Sequence, residues 1–269
     1  MTTPWQAKIF AVSVRKKEKW HYAREAIRKH VHPTSRCLDV GSGVGTLSML
    51  QEKIGGRWEF TETDKEAAAQ TALVVKGTVH TVDIFDPSLP AGVYDLITVF
   101  DVIEHVPDPQ AFMDRLAALL APHGALILTT PADDGSYYFW RRLAEKYFGI
   151  DKAAHGHVVE GFARGHLQEL SRKAGLLPLE CIPFSFAFTE FVELLYNGAY
   201  ILKNRRQQRT AGYNLALSPA SPGDVTRHRW QLGILQTIYP LLRSISLIDR
   251  LGLATRGYEW LLVAKKPGP

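Results

Sequence analysis

From about residue 17 to residue 130, short apolar runs of strand length alternate with amphipathic stretches of helical length. KEKWHYAREAIRKHV reads as a helix, RCLDVG as a buried strand, GTLSMLQEKI as a helix and RWEFTET as a strand. The alternation continues through the helix DKEAAAQTALVV, the strands TVHTVDI and YDLITVF, the helix DPQAFMDRLAALL and the strand ALILTTP. Strand and helix at this spacing predict a mostly parallel sheet covered on both faces, because parallel strands need crossover connections and those are filled by helices. Right-handed crossovers then place the loops that follow the strands at the carboxyl edge of the sheet, where ligands of doubly wound α/β folds bind.

The first of those loops is CLDVGSGVGT, Cys37 to Thr46. Its glycines, Gly41, Gly43 and Gly45, form GxGxG. A dinucleotide fingerprint needs its third glycine three places after the second, and a P-loop needs a terminal GK[ST]; neither is present. Asp39, two places before the first glycine, would repel a pyrophosphate seated on the turn and suits a cationic ligand. S-adenosylmethionine carries an ammonium and a sulfonium and no phosphate. A ribose diol wants a carboxylate at the end of the second strand, and FTETD supplies Glu62 there, with Asp64 as the alternative. An adenine amino group wants an acceptor after the third strand, where VDIFD supplies Asp83, followed by Ile84 and Phe85 for packing on the ring.

With these residues in place, the sequence resembles the class I S-adenosylmethionine-dependent methyltransferases. LDVGSGVGT is similar to their first motif, TETDKEAA to their second with Glu62 at the ribose acid, and VDIF to the adenine loop. YDLITVFDVIEHVPDP and LAPHGALILTTP are similar to their fourth and fifth strands. The resemblance covers about residues 17–184 and the closing GYEWLLVAKKP, and points to the branch that contains the ubiquinone-type O-methyltransferases. It implies a doubly wound, Rossmann-like, mostly parallel seven-stranded sheet and S-adenosylmethionine as methyl donor. The donor-binding set it implies is Asp39, Gly41, Ser42, Gly43, Glu62, Thr63, Asp83, Ile84 and Phe100.

Methyl transfer needs the acceptor aligned and desolvated, and a base if the acceptor is a hydroxyl. His105, in IEHVPDP, follows the fourth strand and is either that base or a histidine that pins the loop. His157, in HGHVVEGF with His155 and Glu160, is the second catalytic candidate, against a reading as a solvated helix-entry loop. Tyr137 and Tyr138 either line the acceptor pocket or pack. In ubiquinone-type relatives a segment similar to Asp101, Glu104 and His105 can hold a divalent metal; related enzymes carry similar residues without one, and no metal is the expectation here.

The strand-like runs LLPLECIPF and GYEWLLVAKKP are separated by about seventy residues, far beyond an ordinary loop. The domain reading is therefore residues 1–184 plus 257–269 for the methyltransferase domain, with 185–256 as a helical cap. In that insertion FAFTEFVELLYNGAYILK and HRWQLGILQTIYPLLRSISLIDRLGL read as helices, the second bent or broken at Pro240. Ile234, Ile238, Leu241, Ile245 and Ile248 recur at steps of three and four and are expected to pair with the other helix. A plain cap and an apolar channel for a lipid-like acceptor, with peripheral membrane contact through the basic run Lys203 to Arg209, both remain open.

The net charge of +5 and pI near 9.1 permit acidic partners without requiring them. The N-terminal cations Arg15, Lys16, Lys17 and Lys19 read as a solvated face or loop, with a binding patch as the alternative. No zinc-finger spacing, aromatic–basic interleaving or NPPY-like segment points to nucleic acid, and none is expected as a partner. Cys37 and Cys181 read as buried thiols of a cytoplasmic protein, and no leader or membrane-spanning run is visible. The functional expectation is methyl transfer to a small-molecule or lipid-like acceptor, most naturally at oxygen. The alternatives are a donor-binding regulatory protein without catalysis and a nicotinamide oxidoreductase; Asp39 and the missing fingerprint glycine disfavour the latter.

Overall fold

The computed structural model describes residues 4–133, 158–159, 161–193, 223, 229–251 and 257–268. Seven strands form one sheet: β1 (Arg36–Val40), β2 (Arg57–Thr61), β3 (Thr78–His80), β4 (Tyr94–Phe100), β5 (Leu120–Pro131), β6 (Leu177–Phe184) and β7 (Glu259–Lys265). The order is β3-β2-β1-β4-β5-β7-β6. β7 runs antiparallel to both β5 and β6, and the other pairings are parallel. This is the mixed, Rossmann-like methyltransferase sheet, and the strand order reverses between β1 and β4, which leaves a crevice at their carboxyl ends.

Side chains alternate across the strands with period two. Leu38, Val40, Ile97, Val99, Leu126 and Leu128 point to one face, covered by α5 (Pro109–Leu119) and α6 (Arg164–Lys173). Cys37, Leu96, Ile127, Leu261 and Val263 point to the other, covered by α2 (Val14–His30). Both cysteines are free and buried, and burial pushes their thiols up, to about 12 for Cys37 and about 11 for Cys181. These thiols are packing groups, protonated at neutral pH.

Three elements differ from the sequence reading. A short helix, α1 (Trp5–Val12), precedes α2, and Ser13 joins them, its hydroxyl accepting from the Lys16 amide at 3.2 Å as the α2 cap. The helix expected over GTLSMLQEKI shrinks to α3 (Ser48–Gln51), because the glycine turn and Gly55–Gly56 bracket it. Between β2 and β3 lies α4 (Lys65–Ala72), capped by Asp64, whose carboxylate accepts from the Ala67 amide at 2.7 Å. The last helix, α7 (Arg229–Leu247), is not broken at Pro240; it runs through it, and the Pro240 carbonyl accepts from the Ser244 hydroxyl at 2.9 Å.

Of the long segment between β6 and β7, residues 187–193 are helical and α7 leads into a 3-10 turn at Ile248–Leu251. Asp249 in that turn accepts from the amides of Phe188 (3.0 Å) and Thr189 (2.8 Å), so the turn caps the start of the 187–193 helix. Leu242 packs with Val14 and Val192, and Glu18 of α2 pairs with Arg243 and Arg250, which docks α7 on α2. No helix of the described residues is long and apolar enough to cross a membrane.

Candidate active site

The glycine turn follows β1 at the carboxyl edge of the sheet. Gly41, Gly43 and Gly45 all take positive φ, and the amides of Gly41 and Ser42 donate to the Thr61 carbonyl at 2.9 and 3.0 Å, which ties the turn to the end of β2. Gly43 is open: a Cβ added there would meet nothing within 4 Å. The Thr71 hydroxyl donates to the Gly43 carbonyl at 2.7 Å, and Gln6 of α1 donates to the Val44 carbonyl at 3.1 Å. One side of the turn is therefore fixed by α1 and α4, and its Gly43 face is left clear for a ligand.

Glu62 stands at the end of β2 beside that face. Its Oε2 accepts from the Gly43 amide at 2.7 Å, and its Oε1 from the Asp64 amide at 3.0 Å. Thr63, next to it, is exposed, and its hydroxyl lies 3.5 Å from Glu62 Oε1. Asp64 is occupied as the α4 cap, so of the two acids in FTETD it is Glu62 that remains beside the turn. Asp39 lies beneath the turn, almost wholly buried, accepting from the Ser48 hydroxyl at 2.7 Å and the Thr98 hydroxyl at 2.9 Å. Burial raises its carboxyl above the usual range, opposed by the hydrogen bonds from Ser48, Gln51 and Thr98.

On the loop after β3, Asp83 is exposed and its carboxylate accepts from the Phe85 amide at 2.9 Å. Ile84 is buried in the core, whereas Phe85 is exposed. Arg115 of α5 holds this loop by donating to the carbonyls of Ile84 (2.9 Å), Asp86 (3.1 Å) and Leu89 (3.1 Å). Phe100 closes β4, half-buried against the core on the α2 side.

Beyond β4, Asp101 adopts φ 56, a left-handed backbone uncommon for a non-glycine residue. Its Oδ1 accepts from the Thr129 hydroxyl at 3.1 Å and its Oδ2 carries the Lys19 ammonium. Lys19 also faces Glu259 Oε2 at 3.2 Å, and Arg15 pairs with Glu259 while its guanidinium lies 4.2 Å over the Tyr258 ring. Thus Arg15 and Lys19, expected to be solvated, are ion-paired to carboxylates at the ends of β4 and β7. Glu190 is half-buried near them with its Oε1 enclosed, and desolvation pushes its carboxyl up to about 8, with Arg15 opposing and Glu193, Glu259 and Asp249 adding to the rise.

Glu104 is fully buried, accepting from the Thr130 hydroxyl at 3.1 Å, and burial with the nearby Asp101 charge pushes it up to about 8. His105 is exposed on the 3-10 turn Ile103–His105. A divalent ion does not fit this arrangement. Asp101 already carries an ammonium and a hydroxyl, Glu104 is turned inward, and His105 outward. Among the described residues no group of three or more His, Cys, Asp or Glu side chains could hold a metal ion. His155, His157, Glu160, Tyr137 and Tyr138 lie outside the described residues.

The sheet order, the open glycine turn and the carboxylate at the end of β2 define a class I S-adenosylmethionine-dependent methyltransferase domain. The chain belongs to the methyltransferase domain family, whose pattern matches residues 15–180. It is similar to the ubiquinone biosynthesis O-methyltransferase of Xanthomonas campestris pv. campestris, 32% identical over 105 residues, which cover 36% of this chain and 44% of that one. The like-named protein of Xanthomonas euvesicatoria pv. vesicatoria is 32% identical over 151 residues, covering 53% and 62%. The chain therefore spans less than two thirds of the length of these relatives. In fold it is similar to phosphoethanolamine N-methyltransferase 2 of Haemonchus contortus in complex with S-adenosyl-L-methionine, with a TM-score of 0.56, 15% identity, and 98% and 57% of the two chains covered. The methyl donor of the family is S-adenosylmethionine, and the clear face at Gly43 beside Glu62 fits it.

Proposed function

We propose that this protein transfers a methyl group from S-adenosylmethionine to a hydroxyl oxygen of a small-molecule or lipid-like acceptor. The observation that carries the donor side is Glu62 held against the Gly43 amide, with open space on the far side of Gly43. The choice of oxygen is supported by the names of the Xanthomonas relatives. When bound, the donor supplies a methyl group already activated by its sulfonium. Glu62 takes the ribose hydroxyls, and Gly41, Ser42 and Thr63 shape the wall around them. Asp83 accepts from the adenine amino group, with Ile84 beneath and exposed Phe85 beside it. Asp39 holds the turn from below through the Ser48 and Thr98 hydroxyls, and Phe100 bounds the pocket at β4. Residues 185–256 act as a cap on the domain formed by 1–184 and 257–269, and the protein works in the cytoplasm.

Glu62→Ala is expected to weaken donor binding by about 1.5–3 kcal/mol, since two hydrogen bonds to a charged acceptor are lost. Asp64→Ala is expected to cost about 1 kcal/mol of stability through the α4 cap and to leave donor affinity nearly unchanged. Calorimetric titration of both variants separates the two; equal affinity losses would overturn the assignment. His105 receives the proton of the acceptor hydroxyl. His105→Ala is expected to lower turnover by about 10²–10⁴-fold with donor affinity held. If affinity and melting temperature fall together instead, His105 packs and another base, His157 first, must be tested. Incubation with methyl-labelled donor and cell extracts, followed by identification of the labelled product, tests the reaction itself. Donor binding with no labelled product would leave a binding protein.

A further inference from the structure

Much of the apolar stripe of α7 is left uncovered by the described residues. Leu242 is the residue that docks α7 on α2, and Tyr239 and Ile245 pack beside it. The neighbouring stripe stays in solvent: Trp230 is 77% exposed, Ile234 57%, Ile238 41% and Leu241 65%. Steps of four, four and three keep these residues on one side of the helix. Four large apolar side chains exposed in a row along one helix are unlike the scattered apolar residues of an ordinary surface.

The sequence leading into this stripe carries charge almost entirely of one sign. α7 contains no Asp or Glu. Lys203, Arg205, Arg206, Arg209 and Arg227 precede it in sequence, Arg229 opens it, and Asp224 is the one acid between residues 194 and 247. A second copy of this chain would set another acid-free helix against this one, with no carboxylate on α7 to meet Arg229, and like charges would oppose the pairing. An anionic bilayer surface meets both halves of the pattern: its acyl boundary takes the apolar stripe and its headgroups take the cations.

We infer that α7 lies on an anionic lipid surface, with Trp230, Ile234, Ile238 and Leu241 inserted at the headgroup–acyl boundary. The helix rests on α1 and α2, and these reach the glycine turn through Gln6 and the end of β4 through Lys19. Lipid contact therefore falls on the helices that line the candidate site. This deepens the lipid-like acceptor reading, yet it is measured without methyl transfer, so either can fail alone.

The test is co-sedimentation with phosphatidylglycerol-containing vesicles and with pure phosphatidylcholine vesicles, at low and high salt. The protein is expected to sediment with the anionic vesicles at low salt. The double variant Ile234→Asp, Leu241→Asp should reduce that partition roughly tenfold or more. Both side chains already face solvent, so melting temperature and donor affinity should hold. Brominated acyl chains should quench part of the tryptophan emission, and Trp230→Phe should remove that part. Absence of sedimentation at low salt overturns the inference, as does binding that ignores the double variant. A wild-type dimer that the same two substitutions dissociate overturns it as well, since the stripe would then lie between copies.

Discussion

Gly41→Ala is expected to lower stability and donor affinity together, whereas Gly43→Ala is expected to lower donor affinity with a much smaller loss of stability. Both glycines have positive φ, at 75° and 55°, which costs a side chain roughly 1–2 kcal/mol. They differ in what surrounds them. A Cβ at Gly41 would overlap Val102 Cγ2 and sit 3.6 Å from the Val102 Cβ and Cγ1. Val102 is short, branched and packed against the core, so it yields only by moving the backbone. Overpacking of that kind adds about 1–3 kcal/mol. Because Val102 lies between Asp101 and the Ile103–His105 turn, the displacement also reaches the proposed catalytic histidine. At Gly43 the added methyl meets no protein atom, and its obstacle is the bound donor. Thermal melts with and without S-adenosylmethionine, together with calorimetry, check the pair. Equal stability losses would show that Val102 yields to the added methyl, and unchanged donor affinity in Gly43→Ala would show that the ligand does not lie over Gly43.

The contrast between these glycines also shows what a sequence can and cannot carry. The strand–turn–carboxylate pattern around Asp39, Gly41 and Glu62 is local, and each piece follows from the end of one predicted strand. The choice between Glu62 and Asp64 depends on which acid caps α4. Asp64 stands three residues before Ala67, whose amide it accepts, and this N-cap spacing was visible in TDKEA. The network at the ends of β4 and β7 was out of reach. Lys19 and Asp101 are 82 positions apart, and Arg15 and Glu259 are 244 apart. One signal did exist: the first turn of α2 holds Arg15, Lys16 and Lys17 and no acid, which the helix dipole disfavours. Cations placed against the dipole need partners from elsewhere in the chain. The exposed stripe of α7 marks a related limit. Periodicity reports that residues share a face, and it cannot report what that face meets.

Lys19→Met is expected to destabilise the protein by about 2–3 kcal/mol near neutral pH, short of the roughly 3–5 kcal/mol of a fully stranded buried charge. Two features hold the loss below that range: Glu259, fully buried, keeps Arg15, and the side chain of Asp101 is 36% exposed, so its share is screened. The pH dependence gives the sharper reading. Burial alone would raise Asp101, but the charges of Lys19 and Arg15 and the hydrogen bonds from Lys19 and Thr129 outweigh it and hold the carboxyl below its ordinary value. A carboxyl depressed on folding contributes stability above its unfolded pKa and loses that contribution as pH falls through the folded one. Removing Lys19 leaves burial less opposed, so Asp101 protonates at higher pH in the variant. The stability gap between wild type and Lys19→Met should therefore narrow as pH falls from neutral toward acid. Glu104, pushed up to about 8 by burial and the Asp101 charge and opposed by Lys19, adds to the gap only as pH rises past neutral. Glu190, pushed up to about 8 by burial, acts in the opposite sense in both proteins: its folded form keeps a proton that the unfolded chain releases, so stability declines as pH rises from the ordinary carboxyl range toward 8. That decline is common to both and cancels from the gap. Urea denaturation of both proteins across this range measures it. A gap that stays constant with pH would mean that Lys19 contributes packing rather than charge, and that Asp101 owes its low pKa to Arg15 and Thr129.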